Sequence, residues 1–170
     1  MDDPESEHCK EVYARFGLAM YEAQVLEHGI VNALVIVDLI PERRPLARSR
    51  TEWENDFDEF MGRQFKHTMG RLLRYLGSIT KPPPDLGDLL TRALEKRNWL
   101  AHEFFRERAT EFVTSKGRDQ MLTEVDECAA LFRSADEALV NVMQPLRTKQ
   151  GITNEMLEKS LQAMLDQSNA

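Results

Sequence analysis

Apolar residues recur at steps of three and four over stretches too long for any strand, and this constrains the chain more than any other feature. Val12, Phe16, Ala19, Ala23, Leu26, Ile30, Ala33 and Val37 make one stripe. The spacing predicts a first helix from Ser6 to about Leu39, ended by Pro41 and Pro45. Thr51 and Glu54 form a capping box for a second helix bearing Trp53, Phe57, Phe60, Met61, Phe65, Met69, Leu72 and Leu76. Gly77 and Pro82, Pro83 and Pro84 stop it. Asp85 or Asp88 caps a third helix with Leu86, Leu90, Ala93, Leu94, Ala101 and Phe104 on its apolar face. A break is expected between Phe104 and Gly117. A long helix follows from Arg118 to Lys149, with Met121, Val125, Cys128, Phe132, Ala135, Leu139, Val142 and Leu146 in register. Gly151 separates it from a short last helix carrying Met156, Leu157, Leu161 and Leu165. No segment reads as a strand. The expectation is a single all-α domain over residues 1–170, a four-helix bundle (core about 6–150) with an additional short C-terminal helix.

Composition narrows function mainly by exclusion. A net charge of −7 argues against a protein that coats DNA or anionic membranes through its overall charge, but not against a local basic site. Cys9 and Cys128 lack metal-ligand spacing and read as free thiols of a reducing compartment. The apolar stretch from Ile30 to Ile40 is interrupted by Asn32 and Asp38 and is too short to span a bilayer. The acidic start, with Asp2, Asp3, Glu5 and Glu7, is unlike a secretory signal, so a cytoplasmic chain with no membrane partner is expected. His8, His28 and His67 have no ligand-spaced partners, and there is no glycine-rich phosphate loop or nucleophile elbow, so neither metal nor cofactor is called for.

Chemistry concentrates in one hexapeptide, Arg97-Asn98-Trp99-Leu100-Ala101-His102. On a helical wheel Arg97 falls near the centre of the third helix's apolar stripe, Asn98 at its edge, and Trp99 nearly opposite. A guanidinium there needs a carboxylate, an open cleft or an anionic ligand, because desolvating it unpaired costs several kcal/mol. Glu22, beside the first helix's stripe, is a candidate partner. Two readings follow. Arg97 is a structural ion-pair member, with His102 placed where the helix dipole favours it. Alternatively, Arg97 binds a phosphate and His102 moves a proton, the role for which histidine is the usual side chain near neutral pH.

The segment resembles the Arg-x4-6-His signature of the HEPN superfamily, in the form with a polar residue after the arginine. The leucine-rich helix before it and Phe104-Phe105 after it are also similar. The resemblance implies a four-helix bundle that pairs as a homodimer and acts as a metal-independent endoribonuclease on RNA, as a toxin or defence effector with an antitoxin partner. Arg97 would hold the scissile phosphate, His102 would act as general base or acid, and Asn98 would orient His102 or the substrate. On one continuous helix Arg97 and His102 lie about 140° apart, so one copy makes a poor catalytic pair and two copies across a twofold axis make a better one. One position departs from the family. Toxins paired with nucleotidyltransferases often carry a modifiable tyrosine two residues after the histidine, where this chain has Phe104.

Arg43, Arg44, Arg48 and Arg50 form either a phosphate-binding rim or a solvated loop. Arg106 and Arg108 alternate with Glu103 and Glu107. Outside catalysis, the same residues suit a helical dimerisation or interaction module, or an RNA- or nucleotide-binding sensor.

Overall fold

The computed structural model describes residues 4–168, apart from the side chains of a few residues of the last helix. Among the described residues every regular element is helical: α1 (Pro4–Leu34), α2 (Ile40–Arg43), α3 (Arg50–Gln64), α4 (Met69–Ile79), α5 (Pro84–His102), α6 (Phe104–Glu107), α7 (Ala109–Phe112), α8 (Ser115–Lys149) and α9 (Asn154–Ser168). A π-helical turn, Val35–Leu39, joins α1 to α2.

The frame is a pair of long parallel helices. His8 meets Asp119, Arg15 meets Asp126 and Glu22 meets Arg133, so contacts between α1 and α8 recur every seven residues along both. A seven-residue repeat keeps one seam facing its partner over many turns. Between these polar rungs the seam is apolar and sealed: Val12, Ala19, Leu26 and Ile30 from α1 meet Met121, Val125, Phe132 and Leu139 from α8. Each large buried side chain stabilises by roughly 1.5–3 kcal/mol. Helix α5 runs antiparallel to α1, its Arg97 reaching Glu27 and the following Phe104 stacking on Phe16. Helix α4 packs on α1 and α5 through Met69, Leu72 and Leu76. The core thus lies among α1, α4, α5 and α8, and α3 closes its edge through the buried Phe60 and the half-buried Trp53 and Phe57.

Several boundaries differ from the sequence reading. Pro41 does not end the first helix. In the π turn the Ile40 N–H bonds Val35 O, and this wider turn gives the proline ring room before α2 closes. The continuous rod, Pro4–Arg43, is long and apolar enough to cross a membrane by length and composition, contrary to the limit set on Ile30–Ile40. Half of its most apolar window is buried against the other helices, as the core helix of a bundle would be.

The second helix is two. The chain turns at residues 65–68, and Thr68 starts α4 by accepting the Arg71 N–H. The apolar steps run on across this turn, which hid it, and Phe65 is exposed and packs on His28 instead of the core. The N-cap is Ser49, not Thr51, and Glu54 takes no part in it. Ser49 Oγ accepts from Glu52 N–H, and the Glu52 carboxylate accepts from Arg48 N–H. Helix α5 begins on Pro84 after Pro83, so neither Asp85 nor Asp88 is its cap. The expected break after Phe104 holds two single-turn helices, α6 and α7. Gly151, at φ +79°, supplies the left-handed residue that ends α8 before α9. Within α9, Met156, Leu157 and Leu165 are exposed, while the Leu161 side chain lies outside the described residues, as do Asp2 and Asp3.

Candidate functional site

The buried face of α5 is Leu86, Leu90, Ala93, Leu100 and then Phe104, with Arg97 in the step between Ala93 and Leu100. Leu100 is buried and Ala101 exposed, the reverse of the expected stripe. Continuing the three-four alternation through the charged residue would have given this face.

Arg97 is a quarter exposed. Its Nε donates to Glu27 Oε1 at 3.0 Å and its Nη1 to Asn98 Oδ1 at 3.3 Å. The partner is therefore Glu27. Glu22, the expected one, faces α8 and accepts from Arg133 at 3.2 Å. Glu27 and Asn98 together occupy two of the five guanidinium N–H groups. The Nη2 edge has no protein partner among the described residues and keeps its capacity for an anion.

His102 is the last residue of α5, exposed, and its side chain makes no hydrogen bond or ion pair among the described residues. Helix α5 is unbroken from Arg97 to His102, so the angle of about 140° between them persists and one chain does not bring them together. Asn98 sits with Arg97, not His102.

Trp99 does not point away from the core. It is half-buried, edge-on to Phe104 with centroids 5.1 Å apart, and its Nε1 donates to Glu107 at 2.8 Å. Lys96 and Arg108 lie over its ring at 4.8 and 5.5 Å. The Trp99 hydrogen bond holds the Glu107 carboxyl below its usual range. Arg108 is clamped by both Glu124 oxygens at 2.7 and 2.9 Å, so its own charge is neutralised within the fold. Phe104, the position where a modifiable tyrosine would sit, is fully buried among Phe16, Trp99 and Phe105.

The loop arginines divide. Arg50 pairs with Glu54, and Arg44 donates to the Gln150 carbonyl at 2.7 Å, fastening the segment to the end of α8. Arg43 shares a small hollow with Arg63 and Tyr75. Cys9 and Cys128 are both free, and burial pushes the Cys128 thiol up. Among the described residues, no three His, Cys, Asp or Glu side chains group as a metal would need.

A second polar site escaped the sequence reading. An open basin of about 540 Å³ on the α3–α4 hairpin is lined by Arg63, Gln64, His67, Arg71, Arg74 and Tyr75. Tyr75 donates to Asp38, which raises its phenol to about 12. The available signal was charge patterning. No acidic residue occurs between Glu59 and Asp85, whereas Arg63, Lys66, Arg71, Arg74 and Lys81 do, within a chain of net charge −7. Compared with family models, curated proteins and solved structures, the chain matches none of them.

Proposed function

We propose that this chain is a HEPN-type bundle acting as a metal-independent endoribonuclease, with a site assembled from two copies. The observation that carries the reading is the state of Arg97: held by Glu27 along one edge, a quarter exposed, with its Nη2 edge open. A guanidinium set in this way is oriented before substrate arrives and still able to take a phosphate. His102 is accessible and uncommitted at the end of the same helix. In the dimer, Arg97 of one copy and His102 of the other flank one phosphodiester. The ribose 2′-oxygen attacks phosphorus as its proton passes to one imidazole. The bond to the 5′-oxygen breaks, and that oxygen takes a proton from water, while the imidazolium returns its proton to solvent. The products carry a 2′,3′-cyclic phosphate and a 5′-hydroxyl, and DNA does not react. Action as a cytoplasmic toxin or defence effector, restrained by an antitoxin protein, belongs to the same proposal. Attachment of a nucleotide at a tyrosine beside the histidine does not, because Phe104 has no hydroxyl and is sealed.

A second reading, a non-catalytic interaction module, is favoured by the same Arg97–Glu27 pair, which satisfies the buried charge without any ligand. Exposed Val140 and Leu146 on α8 would serve its interface. Incubation with a mixed RNA pool in EDTA separates the two. The ribonuclease reading expects cyclic-phosphate ends from the parent and none from Arg97→Ala or His102→Ala. A folded, dimeric parent that leaves the pool intact favours the module.

A further inference from the structure

We infer that the α3–α4 hairpin carries a ribose-phosphate site, distinct from the Arg97 region, in which Arg63, His67, Arg71 and Arg74 hold the phosphate and Gln64 hydrogen-bonds a sugar hydroxyl. Three observations converge on it. First, the cations are unneutralised. Arg63, Arg71 and Arg74 are exposed, and among the described residues none forms an ion pair. The Arg63 side chain makes a cation–π contact, 5.7 Å from the Phe60 ring. Of the two carboxylates in the adjoining hollow, Asp38 is engaged by the Tyr75 hydroxyl, and Glu42 forms no ion pair with Arg63.

Second, the Gln64 side chain lines this basin while being only 3 % exposed, and its Oε1 is sealed from solvent without a donor. An unmet buried acceptor costs about 1–3 kcal/mol, and a turn of the amide toward the cationic basin would let a partner arriving from outside relieve it. Phosphate alone offers guanidinium ligands but few donors, whereas a ribose hydroxyl offers the missing O–H. Third, α4 starts here, at Thr68, and the positive end of its dipole adds to the field of the side chains. The basin volume lies within the range of small-ligand sites.

A free ribonucleotide and an RNA strand present the same chemistry, and the inference does not depend on cleavage at His102. The probes are inorganic phosphate, adenosine 5′-monophosphate, its dideoxy analogue, and a labelled single-stranded RNA whose integrity is checked on a gel. Arg71→Ala/Arg74→Ala should weaken the ribonucleotide or the RNA at least tenfold and flatten the salt dependence of strand binding. Gln64→Leu should weaken adenosine monophosphate several-fold while leaving the dideoxy analogue and phosphate unchanged. If the mononucleotide competes with the RNA, the natural ligand can be a free nucleotide. If only the strand binds, the site is a backbone contact, and either result upholds the inference. Unchanged binding of every probe by the double variant, with a parental melting curve, overturns it. So does failure of the parent to bind any of them. Loss of binding in these variants with RNA cleavage absent throughout would sink the ribonuclease proposal and leave this site standing.

Discussion

Glu27 holds Arg97 by one edge: Oε1 accepts from Nε at 3.0 Å, and the neighbouring Asn98 takes one Nη1 hydrogen. The bond links α1 to α5 at a point where α5 would otherwise carry an apolar residue. Both side chains are about a quarter exposed, so the pair lies between the weak surface case and the costly buried one. A double-mutant cycle of Arg97→Ala and Glu27→Ala in urea should give a coupling of about 1 kcal/mol. Zero coupling would mean the pair contributes nothing to the fold.

The aromatic cluster beyond the hexapeptide is packed without room for a polar atom. Phe104 is wholly buried, stacked on Phe16 at 5.8 Å and edge-on to Trp99 and Phe105. Phe104→Tyr should therefore destabilise by about 1–3 kcal/mol through an unpartnered hydroxyl. The new tyrosine should also stay unreactive to nucleotidylation in the folded protein. A variant as stable as the parent in thermal melts would show that the cluster opens.

Gly117 sets the junction between α7 and α8. A Cβ there would overlap the backbone O and Cα of Glu111, and backbone cannot rotate aside as a side-chain tip can. Gly117→Ala should cost about 2–3 kcal/mol in chemical denaturation, toward the upper end for overpacking. A loss below a few tenths would place α7 elsewhere.

Asp136 lies in the groove between α1 and α8, near Gly29. Burial pushes its carboxyl above the usual range, with Glu137 and Glu22 adding to the shift. A folded pKa above the unfolded one contributes stability that is complete at acid pH and is lost as pH rises through the folded value. The ionised form thus opposes folding at neutral pH. Asp136→Asn should stabilise at pH 7 by less than about 1 kcal/mol, since the group is partly solvated, and the gain should vanish as pH falls below the ordinary carboxylate range. Melting curves across pH check this, and destabilisation at pH 7 would contradict it.

The sequence made the helical class and the outer limits of most helices legible, because long three-four spacing has no strand counterpart. It hid what depends on tertiary context. Apolar steps run through the α3–α4 turn from Met61 to Met69, so nothing local marked the break at Thr68. The π turn that lets Pro41 continue a helix has no pattern of its own. The need of Arg97 for a carboxylate was legible from its place on the stripe. The choice of Glu27 over Glu22 was not, since it depends on which face of α1 the parallel α8 occupies. The basin on α3–α4 was legible only as a charge pattern, because Gln64 becomes notable once it is buried.

The composite site is tested most directly by mixing two inactive proteins. Arg97→Ala and His102→Ala should each fail to cleave RNA in EDTA. After mixed refolding, about half of the dimers are heterodimers, each with one intact Arg97–His102 pair across the interface. The account predicts recovery of up to about a quarter of parental activity, with cyclic-phosphate ends. Cleavage by the parent with no recovery in the mixture would place both residues' function within one chain. A parent that leaves RNA intact would contradict the ribonuclease account itself.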